Sequence, residues 1–273
     1  MLFGFNSLNQ DMDKGLDYAI ANGLDHFEID LMNEQSLVAS LNPDHIEDLH
    51  QRAVKGNIRL SLHAPFNINL AEGAPFIREG CLQYFKQCLH LTHLLEATHL
   101  TVHGGFFLGL PGWRHGRTRA LYDMSDNLSE LLKLCEKLDV MLAIENMNRI
   151  EQGELFYLGD NLADLELIFG RVNSPKLGLC LDIGHAHTCE GPRVYLDAFG
   201  SRIISIHYHD NDGCEDRHLD IGRGSVDWAE IAGTLREMDY NGPFISETLS
   251  DLPVESMQKF LAFSMNPEQI STR

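Results

Sequence analysis

Basic residues are scarce in this chain. Lys and Arg total 21 against 40 Asp and Glu, a formal net charge of −19. That excess opposes long-range attraction to nucleic acid or to an anionic membrane, and bound cations would offset only part of it. Duplex DNA is therefore disfavoured as a partner. Long apolar runs are missing as well, and nothing approaches the roughly 20 residues of a membrane span. The N-terminal MLFGFNSLNQDMDKG lacks the basic start and apolar run of a secretory signal, so a cytoplasmic location with no membrane partner is expected. The six cysteines (Cys81, Cys88, Cys135, Cys180, Cys189, Cys214) form no CxxC pair and read as free packing thiols in a reducing compartment. No Pro-, Gly- or Ser-rich stretch, low-complexity tract or repeat marks a boundary, so residues 1–273 are read as one domain.

What is present is an alternation of short apolar, β-branched runs with amphipathic stretches. The runs fall near 2–5, 26–30, 58–63, 99–103, 140–145, 178–182, 203–207 and 244–247. Between them lie helical patterns such as MDKGLDYAIANG, PDHIEDLHQRAV, CLQYFKQCLHLTHLLEA, MSDNLSELLKLCEKL, NLADLELIF and WAEIAGTLREM. Asn42 followed by Pro43 suits an N-cap and first helical position. Eight strands alternating with helices predict an α/β fold, a single (β/α)8 TIM barrel, for which roughly 250 residues suffice.

The chemistry sits at the strand ends. Glu28, His63, His103, Glu145, Asp182 with His185, His207 and Glu247 each close an apolar run. In such a barrel the carboxyl ends of the strands form the open mouth, so these side chains converge although they are far apart in sequence. Glu145, Asp182 and Glu247 would repel one another there unless a cation or a shared proton intervened. Imidazoles and carboxylates together suit Zn, Mn, Fe or Co, with Mg also in range. LDIGHAH spaces Asp182 and His185 to face one metal cluster, and DRHLDIGRG puts Asp216 and His218 on one side of an extended segment. His209 and His187 each lie two residues beyond a candidate ligand and are left open. His90 and His93, in a helical stretch, and His45, His50 and His99, away from strand C-termini, read as structural.

HAPFNINLA, LTVHGG, AIENM, CLDIGHAH, DRH with the following GRG, and ISET, in that order over about residues 60 to 250, resemble the xylose-isomerase-like TIM-barrel superfamily. That superfamily joins sugar and sugar-phosphate isomerases and epimerases to the endonuclease IV enzymes (AP endonuclease family 2). The resemblance implies a four-ligand site of Glu145, Asp182, His207 and Glu247, with Glu145 and Glu247 also as catalytic acid/base groups. Its endonuclease branch adds His63, His103, His185, Asp216 and His218, so one to three divalent ions are implied. The chain departs from the endonuclease pattern in three places, one of them Arg223, where the Gly-x-Gly after DRH usually carries an acidic residue. Pro65, Phe66 and Asn67 replace the wedge that enters DNA, leaving only Phe66, and DLMNEQSL, with Asp30 and Glu34, stands where a basic DNA-binding loop is found.

The loop GGFFLGLPGWRHGRTR is the one segment with clustered positive charge, and it could close over the mouth as a lid. Trp113, Arg114 and Arg117, with Arg223, Phe66 and Glu28, are the expected substrate contacts; the alternative for Arg117 and Arg119 is pairing to surface acids. Three function classes follow: a metal-dependent isomerase or epimerase of a small sugar or sugar phosphate, which is preferred; a trinuclear-metal phosphoesterase or abasic-site endonuclease; and a metal-binding protein without activity.

Overall fold

The computed structural model describes residues 1–8, 11–32, 38–39, 42–109, 116–150, 155–249 and 253–265. Strands β1 (Leu2–Asn6), β2 (His26–Asp30), β3 (Arg59–His63), β4 (His99–His103), β6 (Met141–Glu145), β8 (Leu177–Asp182), β9 (Ile203–Tyr208) and β10 (Pro243–Ser246) pair in parallel in that order, and β10 returns to β1. The closed (β/α)8 barrel is the expected one. Strands β5 (Phe106–Leu108) and β7 (Leu155–Tyr157) form a separate antiparallel pair that the sequence patterns did not predict.

The helices are α1 (Met12–Ala21), α2 (Pro43–Gly56), α3 (Pro75–Leu94), α4 (Gly116–Leu138), α5 (Leu162–Arg171), α6 (Ile183–His187), α7 (Pro192–Phe199), α8 (Trp228–Glu237) and α9 (Pro253–Met265). Their starts follow capping chemistry: Asn42, Asn161 and Asp227 accept the amides of Asp44, Asp164 and Glu230, which satisfies donors that a first turn leaves free. Helix α2 closes on Asn57 at φ 58°, a left-handed position that Asn tolerates. Leu16, Ala19, Leu49, Leu128 and Leu131, at helical spacing, are fully buried in the core. Among the described residues no helix is long and apolar enough to cross a membrane.

Register places the site. His103 lies opposite Glu145 and Asp182 opposite His207, while Asp30 lies opposite His63. Side chains alternate across a strand, so residues two apart occupy successive layers inside the barrel. Below the mouth layer the interior is polar: Glu28 accepts from Asn6 Nδ2 (2.9 Å) and Ser61 Oγ (2.8 Å), and Ser61 Oγ lies 2.9 Å from His26 Nε2.

Candidate metal centre

At the barrel mouth Glu145, fully buried, is the hub. Its Oε2 lies 3.0 Å from His63 Nε2 and 3.1 Å from His103 Nε2, and its Oε1 lies 3.2 Å from His207 Nδ1. His207 Nδ1 is also 3.1 Å from Glu247 Oε1. Two donor groups therefore share one carboxylate: His63, His103 and Glu145 in one, and Glu145, Asp182, His207 and Glu247 in the other, with the donor atoms of each within 4.8 Å of one another. A further group is His185, His209, Asp216 and His218.

Backbone carbonyls orient the rings. His63 Nδ1 donates to the carbonyl of Ala64 (3.0 Å), His185 Nδ1 to that of Asn146 (2.8 Å) and His218 Nδ1 to that of Glu247 (2.6 Å), which leaves each Nε2 lone pair facing inward. Such outer contacts are what set ring tautomers in metal sites. Asn146 ties two strand ends together, donating to the Asp182 carbonyl (3.0 Å) and accepting the Asp182 amide (2.8 Å). Asp210 anchors the loop that bears Asp216 and His218, accepting from Gly222 N, Val226 N and Trp228 Nε1. His218 itself has φ 47°, a left-handed conformation unusual for a non-glycine residue.

Electrostatics fit a cation. Burial opposes charge on Glu145, yet the charges of His207 and His103 hold its carboxyl well below the usual range. Burial likewise opposes protonation of His63, but its hydrogen bond to Glu145 pushes it up to about 10, and Asp216 pushes His218 up to about 9. Protons and a metal ion would thus compete for the same imidazoles. Asp182 Oδ2, Asp216 Oδ1 and both ring nitrogens of His209 are buried without a hydrogen-bond partner among the described residues. Buried polar atoms normally have partners, and oxygen and imidazole donors left over in one place match a divalent ion.

Above the cluster opens a cavity of about 390 Å³, whose wall includes Asp30, Phe66, Asn148, Tyr157, Asp216 and Glu247. Its size and its buried floor suit a small polar molecule. Residues 16–264 match the family described as xylose isomerase-like TIM barrel. The chain belongs to that family. Among solved structures, that of a D-tagatose 3-epimerase-like protein superposes with a TM-score of 0.85 at 25% identity, over 97% of this chain and 98% of the other. Fructoselysine 3-epimerase of Escherichia coli O157:H7 is 26% identical over 182 residues, 65% of this chain and 62% of its own length. A probable endonuclease 4 of Ureaplasma parvum serovar 3 is 27% identical over 224 residues, 74% of this chain and 70% of its own length. The chain is thus similar both to relatives named as epimerases and to one named as a probable endonuclease.

All nine residues expected as ligands lie in these donor groups, and His209 joins them. His187 does not: its Nε2 lies 2.9 Å from Ser225 Oγ. Three expected substrate contacts are corrected. Glu28 is fully buried one layer below the mouth, where its Oε1 lies 2.9 Å from His207 Nε2, so it supports a ring instead of meeting substrate. Arg117 is held by Asp160 and Asp164, and Asp164 in turn accepts the Gly159 amide (2.9 Å). Arg223 is exposed in the turn after Asp220 and is not among the residues that line the cavity. Phe66 does line the cavity, half exposed, with its ring 6.4 Å from that of His103. Trp113, Arg114 and Glu34 lie outside the described residues. Sequence patterns missed the parts played by Asn6, Asn146 and Asp210, because each acts through backbone or side-chain hydrogen bonds that spacing does not reveal.

Proposed function

We propose that this member of the family is a divalent-metal-dependent isomerase or epimerase of a small sugar or sugar phosphate, working by proton transfer at a carbon beside a carbonyl. The observation that carries the reading is Glu247. It is the carboxylate of the four-donor group that faces the cavity, and its Oε1 is held by Asn6 Nδ2 at 3.1 Å and by His207. A carboxylate fixed at one oxygen keeps the other aimed at substrate, the geometry a general base needs. Glu145, the second acid/base candidate, lies behind His63 and His103, which both line the cavity and contact its Oε2. Asn6, Asp30 and Asn148 offer hydrogen bonds to hydroxyl groups, while Phe66, Met147 and Tyr157 offer apolar surface to the faces of a sugar chain. Zinc or manganese best suits the donor set, with magnesium, iron or cobalt also accommodated, and a bound ion would polarise the carbonyl and so acidify the neighbouring C–H.

The test is hydrogen exchange. Protein loaded with manganese or zinc, incubated with a panel of ketohexoses and their phosphates in D2O, is expected to wash deuterium into one C–H position seen by NMR. Glu247→Gln should abolish this with metal still bound, whereas Glu145→Gln should lower both exchange and metal content. No exchange across the panel, with metal confirmed in the protein, would refute the reading.

A second reading has one specific observation behind it, the donor group formed by His185, Asp216 and His218, which the endonuclease branch also uses. It makes the chain a trinuclear phosphoesterase. Metal-dependent nicking of an abasic-site duplex would establish it.

A further inference from the structure

We infer that the cavity takes an unphosphorylated sugar and that Asp30 makes the choice, its free carboxylate oxygen accepting a sugar hydroxyl and its charge turning phosphate esters away. The inference rests on the sugar reading proposed above and names the substrate class of that same site.

The mouth is divided by strand. β3, β4, β6, β8 and β9 supply the donor groups through His63, His103, Glu145, Asp182 and His207, and Glu247 follows β10 directly. Among the described residues β1 and β2 supply nothing to those groups. Their last residues, Asn6 and Asp30, both line the cavity. Asn6 is already engaged: its Nδ2 lies 2.9 Å from Glu28 Oε1 and 3.1 Å from Glu247 Oε1, and its Oδ1 accepts the Leu8 amide at 2.8 Å. Asp30 is engaged on one side only. Its Oδ1 accepts the Met32 amide at 2.8 Å and its own amide donates to Ser7 Oγ at 2.9 Å, while Oδ2 makes no hydrogen bond among the described residues. Backbone and carboxylate are thus fixed, and one acceptor is left over on a residue only 8% exposed.

A buried carboxylate with a vacant acceptor is costly until a donor reaches it. An ionised carboxylate accepts and cannot donate, so the group that meets it must bring its own hydrogen. A hydroxyl does so. A phosphate dianion brings like charge instead, to a wall where Asp216 and Glu247 are acidic as well, and a repulsive element of this kind discriminates as effectively as an attractive one. The competing role for Asp30 is to cap the turn to Met32 and nothing more.

Manganese-loaded protein is titrated calorimetrically with each D-ketohexose and with its 1- and 6-phosphates. At least one free ketohexose should bind, and its phosphates should bind more weakly by about tenfold or more. Asp30→Asn keeps an oxygen for the Met32 amide and removes the charge. It should weaken the free ketohexose about tenfold and bring the phosphates to within about threefold of it, at unchanged manganese content and melting temperature. The wild-type comparison stands whether or not the variant folds. A turn cap alone would lower the melting temperature and leave both affinities as they were. That outcome would overturn the inference, as would phosphates that bind wild type as tightly as the free sugar, or no binding by any ketohexose. Sugar that binds through Asp30 but exchanges no deuterium would instead refute the isomerase or epimerase reading and leave the role of Asp30 standing, and affinity and exchange untouched in Asp30→Asn would do the reverse.

Discussion

One carboxylate placed a layer too deep to touch substrate illustrates how residues in this barrel divide their labour. Glu28 closes an apolar run with His26 and Phe27, yet β2 continues to Asp30, and the two-residue period puts Glu28 beneath the mouth and Asp30 at it. Buried charge, hydrogen bonds from Asn6 and Ser61, and contact with His207 Nε2 make it the group that presents His207 Nδ1 upward. Glu28→Gln should therefore weaken metal binding by roughly 10–100-fold, while the sugar KM of fully loaded protein stays within about twofold. A competition titration with a chromophoric chelator, paired with steady-state kinetics, checks both halves. Deeper still, His26 is wholly buried, and burial together with the nearby His99 pushes it down to about 3. Its folded form stays neutral where the unfolded form, at about 6.5, takes a proton. Stability is therefore complete above that value and declines as pH falls from there toward 3, by about 1.4 kcal/mol per pH unit. His26→Gln should flatten the fall in melting temperature between about pH 6.5 and 4.5 relative to wild type. An unchanged slope would show that the ring is protonated in the folded state.

At the scale of elements, the barrel strands were legible because buried parallel strands read as continuous apolar runs, and the ionisable residues that close most of the runs point to the mouth. The strand observed at Arg59–His63 differs from the expected 58–63 by one residue, and that at Pro243–Ser246 from 244–247 by one at each end. The pair β5 and β7 was not legible: three residues each, in a Phe/Leu-rich loop and beside a segment without periodicity, leave no pattern to read. The same segment shows why Arg117 misled. Clustered Arg beside aromatics resembles a phosphate clamp, but only the fold reveals that Asp160 and Asp164, more than 40 residues away in sequence, already hold it. Arg117 joins the first turn of α4 to the start of α5, and Asp164 is buried. Arg117→Ala should accordingly destabilise the fold by about 1–3 kcal/mol through the abandoned acid, with the apparent substrate constant unchanged. Chemical denaturation beside kinetics decides this, since a substrate constant that rises at constant stability would return Arg117 to the site.

For the whole molecule the governing quantity is charge. Three divalent ions would bring −19 + 6 = −13 at most, so even the fully loaded protein stays strongly acidic. Duplex binding draws its affinity from phosphates neutralised by Lys and Arg, and among the described residues of the cavity wall neither occurs, while Asp30, Asp216 and Glu247 do. The family resemblance runs to both epimerases and endonucleases, and the ligands alone do not separate them, because the same imidazoles and carboxylates serve carbonyl polarisation and phosphoryl transfer. The field around them is where the two readings predict different behaviour. Repulsion of a duplex is screened over about 10 Å at 0.1 M salt and about 3 Å at 1 M, so a purely electrostatic block would weaken as salt rises, whereas a site that lacks phosphate contacts would stay inactive throughout. On the proposed reading the metal-loaded chain is expected to leave an abasic-site duplex intact from about 20 mM to 500 mM salt, while C–H exchange on any unphosphorylated ketohexose it accepts varies little, since an uncharged sugar has no counterions to release. Nicking that appears only at high salt would mean that the site is competent and merely shielded, and efficient nicking at low salt would move the protein to the endonuclease branch of its family.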